Sequence, residues 1–271
     1  MANSTLSNAK AAKKDEFYTM FYDIETEMEA YLDYNPNVFR GKTVLLPCDD
    51  PEWSNFTKYF AQNFEDLGLK KLISTSYAIN SKVIKAGIQT SFLETTSPKF
   101  DKSKTNTHGK IFVLEKDNTG DGKINLEDLE WDYLEGDGDF RSEEVKKLRD
   151  EADIIVTNPP FSLFREFLAW IVEADKQFII LGNINCITYK EVFPLFKYNK
   201  MWLGVTNFNR GMFFRVPDDF EYAPTYKFDK EINGIKVNRV SGICWYTNIE
   251  HGRRHHPLNL LTKEDNIKYS K

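Results

Sequence analysis

Residues 152–167 read "ADIIVTNPPFSLFREF". Ile154, Ile155 and Val156 favour a buried strand, and the chain then meets Thr157, Asn158, two prolines and an aromatic before a helical pattern begins. An Asn that ends a hydrophobic strand stands at the carboxyl edge of a parallel sheet, where open α/β folds bind ligands. Pro159 and Pro160 have no N–H and a fixed φ, so the carbonyls around them keep fixed directions without internal partners. The Asn158 side-chain oxygen and a neighbouring carbonyl make two acceptors, a set that suits an exocyclic NH2 group. Phe161 adds a face on which a planar ring stacks. The competing structural account is a strand-ending turn capped by Asn158, with Phe161 simply buried.

The same alternation extends outward from this stretch. "KTVLLPCDD" (42–50) predicts a short buried strand over Val44 to Leu46, ended by Pro47. "SNFTKYFAQNFEDLGL" (54–69) predicts one amphipathic helix capped by Ser54 and closed by Gly68. "KKLISTSYAI" (70–79) is a second strand, giving a β-α-β start that favours a parallel sheet with a right-handed crossover. Before it, Phe21, Ile24, Met28, Tyr31 and Leu32 recur at helical spacing. Further on, "SEEVKKLRDEA" (142–152) reads as a helix with Ser142 as N-cap, "KQFIILGNIN" (176–185) as a strand and "YKEVFPLFKYN" (189–199) as a helix. From Met201 short strands and turns dominate. The expected organisation is a flexible arm over 1–14, a catalytic domain over 15–200 interrupted by an insertion over 80–133, and an antiparallel part over 201–271 that completes the sheet.

Composition is that of a globular chain: 271 residues, 41% apolar and 28% charged, enough for a sizeable core. The formal net charge of −5 does not announce a nucleic-acid binder, although Lys10, Lys13, Lys14 and "HGRRHH" (251–256) leave room for a basic face. Cys48, Cys186 and Cys244 lie far apart with no metal-type or pairing pattern, which favours a reduced, cytoplasmic chain. No run reaches the roughly 18 apolar residues of a membrane span. The N-terminus has no apolar signal core.

Three further stretches carry chemistry. In "DNTGDGKINLED" (117–128) oxygen-bearing side chains stand at Asp117, Thr119, Asp121, Asn125 and Asp128, with Gly122 in the sixth place. That is the order of an EF-hand calcium loop, with "LEDLEWDYL" read as its outgoing helix; a plain Asn/Gly/Asp turn is the alternative. "HGRRHH" places Arg253 and Arg254 for phosphate contact, or forms a solvated turn. "NFNRGMFFRVP" (207–217) reads as a hairpin around Arg210 and Gly211 that reaches a DNA groove or only closes the sheet edge.

"TNPPF" resembles motif IV of the amino-methyltransferases, "DEFYT" (15–19) their N-terminal motif X, and "GDGDFRS" (136–142) the aspartate motif that closes over the cofactor's adenine. The longer wording "LPCDDPEWSNFTKYF", then "GDGDFRSEE", then "ADIIVTNPPFSLFREF" resembles the EcoRI-type adenine-specific DNA methyltransferases from about Lys14 to His255. The resemblance implies a Rossmann-like methyltransferase fold with a mostly parallel central sheet, flanking helices and an antiparallel C-terminal part. It implies S-adenosylmethionine as cofactor and a target adenine turned out of double-stranded DNA, with the N6 amine held by Asn158, Pro159, Pro160 and Phe161. Phe17, Tyr18 and Thr19, then Pro47, Cys48, Asp49, Asp50, Ser54 and Asn55, and Asp139 with Phe140, would line the cofactor. Ser54 and Asp49 also have a simpler role in helix capping, and "GDGD" in a turn. The loop "LPCDDP" lacks the glycines common after this strand in methyltransferases, a departure the EcoRI-type family shares. It further implies a monomer, with a cognate restriction endonuclease as companion. Related chains run on past "EDNIKYSK" (264–271), so a shortened recognition segment with weak methylation is an expectation as well. The alternatives are methylation of RNA or of protein glutamine on the same fold, and a non-catalytic calcium-dependent binding module.

Overall fold

The computed structural model describes residues 18–49, 54–78, 99–218, 220–257 and 260–269. Phe17 and Asp50, both expected at the cofactor, lie outside the described residues. In chain order the elements are β1 (Tyr18–Thr19), α1 (Phe21–Tyr34), β2 (Thr43–Pro47), α2 (Asn55–Gln62), α3 (Phe64–Leu67), β3 (Lys71–Ser76), β4 (Lys110–Leu114), β5 (Glu130–Tyr133), α4 (Glu143–Glu151), β6 (Ile154–Thr157), α5 (Phe164–Glu173), β7 (Gln177–Asn183), α6 (Phe193–Lys197), β8 (Trp202–Leu203), β9 (Met212–Arg215), β10 (Glu231–Ile232), β11 (Ile235–Val240), β12 (Ile243–Thr247) and α7 (Lys263–Tyr269). No described helix is long and apolar enough to cross a membrane.

Eight strands form a mixed central sheet in the order β5-β4-β3-β2-β6-β7-β12-β8. The ladders β3–β2, β2–β6 and β6–β7 are parallel, and the outer ones are antiparallel. Helices cover both faces, so the central strands are apolar throughout rather than alternating. The pleat sorts their side chains. Val44, Leu46, Val156, Ile179 and Leu181 face a core built with Ile24 and Met28 of α1 and Phe56 and Phe60 of α2. Leu45, Ile155, Phe178 and Ile180 face a second core with Val145 of α4 and Phe164, Phe167 and Ile171 of α5. Each fully buried Phe or Ile contributes about 1.5–3 kcal/mol by leaving water.

Local signals set most ends. Ser54 caps α2 by accepting from Phe56 N–H at 3.1 Å, and Ser142 caps α4 by accepting from Val145 N–H at 3.2 Å. Gly68, at φ 62°, closes α3 in the left-handed region. Three expectations are corrected. The helix expected over 54–69 is two, broken at Asn63, whose side chain donates to the Tyr59 carbonyl. The segment after Asp128 is strand β5, not a helix. Met212–Arg215 forms no hairpin with what precedes it: β9 pairs with β1 and β11 in a second, antiparallel sheet of order β1-β9-β11-β10.

Candidate active site

The chain passes from β2 to β3 on one side and later returns to place β6 on the other, so a crevice opens beyond the carboxyl ends of β2 and β6. Both ends carry polar groups. Past Pro47 the backbone turns through Cys48 at φ 72°, a conformation that costs a non-glycine residue about 1–3 kcal/mol and collects at functional sites. Asp49 follows, 7% exposed. Its Oδ1 accepts from Ser54 Oγ at 2.7 Å and its Oδ2 from Thr157 Oγ1 at 2.5 Å. The Thr157 hydroxyl also lies 2.7 Å from the Pro47 carbonyl, and Ser74 Oγ donates to the Asp49 carbonyl. Ser54 therefore caps a helix and orients Asp49 at once.

Thr157 is the last residue of β6, so the same hydroxyl anchors the start of the Asn-Pro-Pro-Phe segment. Asn158 is half-buried, Pro159 buried, and Phe161 opens a short 3-10 turn that leads into α5. The Leu163 amide occupies the Pro160 carbonyl at 2.9 Å. The Pro159 carbonyl and the Asn158 side chain stand one and two residues earlier, at the strand edge. The Phe161 ring meets Phe214 of β9 edge-on, with centroids 6.3 Å apart. The small sheet thus stands over the segment, and β1 is tied into the site by Asn55, whose Nδ2 donates to the Thr19 carbonyl at 2.8 Å. Thr19 is 3% exposed, and its hydroxyl has no hydrogen-bond partner.

The "GDGD" loop reaches the same sheet edge from the other side of β2. Ala78 N–H donates to the Asp137 carbonyl at 2.7 Å, and a Cβ on Gly138 (φ 84°) would collide with the Ser76 carbonyl at the end of β3. Only glycine allows that approach. Asp139 is gripped by Arg141, Nε to Oδ1 at 2.9 Å and Nη2 to Oδ2 at 2.6 Å, and the side-chain bonds of that guanidinium hold its carboxyl below the usual range. Phe140 is 4% exposed and packs against Phe167 and Trp170, centroids at 5.1 and 5.7 Å. It sits in the core, with no open ring face for a cofactor.

The other expected residues fall elsewhere. Arg254 is paired with Glu250 and lies over the Trp202 ring at 3.8 Å; Arg253 donates to the Val205 carbonyl. Both arginines knit "HGRRHH" to the strand β8 region. Arg210 is exposed, and its carbonyl accepts from Arg239. In the 117–128 loop Asp117 accepts from the Gly122 amide at 2.8 Å, and Asp128 accepts from the Asn118, Thr119 and Asn125 amides at 2.8, 2.8 and 2.9 Å. These amides hold Asp128 below the usual carboxylate range. A strand enters this loop and a strand leaves it, and among the described residues no group of three or more His, Cys, Asp or Glu stands together to hold a metal.

Sequence reasoning missed Thr157 and Arg141 as site-ordering residues, although each adjoins a quoted motif residue. It also missed Glu27, fully buried on α1. The Glu27 carboxylate accepts from Tyr31 Oη at 3.0 Å, from the Val205 and Thr206 amides at 3.0 and 3.1 Å, and from Thr206 Oγ1 at 2.8 Å. No local pattern separates that acid from its solvated neighbours.

A family model described as adenine-specific methyltransferase EcoRI matches residues 5–271. The Type II methyltransferase M.EcoRI of Escherichia coli is 42% identical over 263 residues, covering 96% of this chain and 73% of that protein. M.MpnI of Mycoplasma pneumoniae is 35% identical, covering 95% of this chain and 67% of its own length. M.MgeORF184P of Mycoplasma genitalium is 34% identical, covering 92% and 66%. No solved structure matches the chain. With its motifs gathered at one sheet edge and the family model matched from residue 5 to residue 271, the chain belongs to the EcoRI family of adenine-specific methyltransferases.

Proposed function

We propose that this chain transfers the methyl group of S-adenosylmethionine to the N6 amine of an adenine in double-stranded DNA, with that adenine turned out of the helix into the crevice at Asn158. One observation carries the proposal most directly: the Thr157 hydroxyl binds the loop after β2 and the Asn-Pro-Pro segment after β6 into one hydrogen-bonded unit at the sheet's switch point. Strand order and switch point support reading the sheet as Rossmann-like. Residues 15–200 would carry cofactor and chemistry, and residues 201–271 would complete the sheet and face DNA.

The residues present suit the cofactor. The buried, unpartnered Thr19 hydroxyl and the N-terminus of α2 supply donors beside Asp49. Thr19, Asn55, Cys48 and Asp49 would hold S-adenosylmethionine, which brings an electrophilic methyl on sulfur. The chain's own part is positioning. An adenine amine is a poor nucleophile because its lone pair is delocalised into the ring. The Asn158 oxygen and the Pro159 carbonyl would accept its two N–H bonds, favour a more tetrahedral nitrogen and aim it. Phe161 would stack on the base and help offset the few kcal/mol of unstacking. No general base and no calcium enters this scheme. The relatives' name, Type II methyltransferase, supports a restriction endonuclease as companion; a monomer acting on one site at a time is the simplest arrangement.

The test is transfer of labelled methyl to DNA, RNA and protein, with Asn158→Ala alongside. Label at adenine N6 in DNA, reduced at least about a hundredfold in the variant, is expected. Label on RNA or protein alone, or undiminished transfer by the variant, overturns the proposal.

A further inference from the structure

One buried amide lacks any structural explanation. Asn238 on β11 is 0% exposed, and neither its Oδ1 nor its Nδ2 has a hydrogen-bond partner. Its neighbours on the same face, Met212, Val216 and Val240, are apolar and at most 2% exposed. Buried polar groups are almost always paired, so an orphaned amide among apolar side chains calls for a reason. A leucine of similar shape would pack there without forgoing any hydrogen bond.

Strand register gives the direction of this amide. Asn238 stands opposite Phe214 of β9, and Phe214 stands opposite Thr19 of β1. Residues directly opposite in antiparallel strands project from the same face. Thr19, Phe214 and Asn238 therefore form one row, and Phe214 meets Phe161 edge-on. The row overlooks the segment that begins with Asn158. At one end stands Thr19, on the strand tied to α2; Asn238 is two strand spacings away, about 10 Å, on the far side of the ring.

We propose that Asn238 is a specificity-determining residue that hydrogen-bonds the ring edge of the flipped target adenine. The assignment rests on the function proposed above. A side-chain amide carries an N–H donor, the complement of an unprotonated ring nitrogen. Nδ2 donates to a ring nitrogen flanking the amine, N1 or N7. The Asn158 and Pro159 acceptors hold the N6 hydrogens, so Asn238 reads the feature they leave unread. Guanine carries N1–H in place of that acceptor, so a donor aimed at N1 rejects it.

The decisive variant is Asn238→Leu, studied as the full chain. Because the amide is unpaired without a base, the variant's Tm is expected to equal or exceed that of the wild type. Its kcat/KM for DNA is expected to fall about tenfold or more, with the KM for S-adenosylmethionine within about twofold. Asn238→Asp, which keeps the shape and loses the donor, should fall equally. Once the methylated site has been mapped on plasmid DNA, duplexes carrying 1-deazaadenine or 7-deazaadenine at the target identify the nitrogen. One analogue should cost the wild type about tenfold and cost Asn238→Leu nothing further. Activity of Asn238→Leu within about twofold of wild type overturns the assignment, as does a lowered Tm with both analogue penalties undiminished. A wild-type chain that labels no DNA adenine sinks the function and this assignment together. An active wild type with an indifferent variant sinks the assignment alone.

Discussion

Thr157→Val should destabilise the fold by about 2–4 kcal/mol, because one hydroxyl joins the end of β6 to the loop after β2. Thr157 Oγ1 is 0% exposed at residue level, 2.5 Å from Asp49 Oδ2 and 2.7 Å from the Pro47 carbonyl. Valine has the same branching and a similar strand preference, so shape and propensity are conserved and only the hydrogen-bonding group changes. A hydrogen bond to a charged acceptor is worth roughly 1.5–3 kcal/mol, and a buried acceptor left without its donor costs about 1–3 kcal/mol. The two effects overlap, which sets the range. At about 2–4 °C per kcal/mol in a chain of this size, Tm should fall by roughly 5–15 °C. Urea denaturation followed by circular dichroism measures the loss directly. Thr157→Ser, which restores the hydroxyl, should recover most of it, and methyl transfer should fall with Val and return with Ser. A Thr157→Val chain within about 0.5 kcal/mol of wild type would refute the claim that this hydroxyl holds the site together.

Burial raises the Asp23 carboxyl from 3.8 to about 6. The folded chain then holds that proton more tightly than the unfolded one, so the stability it confers is full below about pH 4 and is lost as pH rises through about 6. Asp23→Asn should therefore stabilise the chain by about 2 kcal/mol at pH 7.5 after allowance for partial exposure, with no gain near pH 4; a gain independent of pH argues against burial as the cause. Gly204→Ala should cost about 3 kcal/mol or more, since its Cβ would collide with the Glu27 carboxylate and come within 2.7 Å of Trp245 Cβ; an unchanged Tm would mean that the buried Glu27 cluster yields freely. Calcium should shift Tm by less than about 1 °C relative to chelator, because loop amides already engage Asp117 and Asp128; a larger shift abolished by Asp117→Ala would establish a cation site.

Much of the fold follows from short-range patterns. Ser54, Ser142 and Gly68 mark helix ends because a cap hydroxyl or a left-handed residue acts within one turn. The apolar runs of β2, β6 and β7 announce strands buried on both faces. Where short-range signals compete, the reading fails. "LEDLEWDYL" carries helix-compatible residues, yet pairing with β4 draws Glu130–Tyr133 into a strand. Phe140 beside an aspartate reads as a residue lining the cofactor, and only the structure shows Phe167 and Trp170 holding its ring in the core.

The sequence by itself determined the class of fold, the placement of Asn158 at a strand end and the order of the motifs, since each depends on residues within a few positions of one another. Only the tertiary structure decided which groups are paired across the site. Thr157 meets Asp49 over 108 residues, and Glu27 meets Thr206 over 179. Such contacts follow from strand order and register, which bring distant segments to one edge and leave no periodic trace in either. "TNPPF" was legible as a strand end with two acceptors. That a threonine locks it to the neighbouring strand, and that Phe214 of a second sheet meets its Phe161, required the eight-stranded order and the register of β1, β9 and β11.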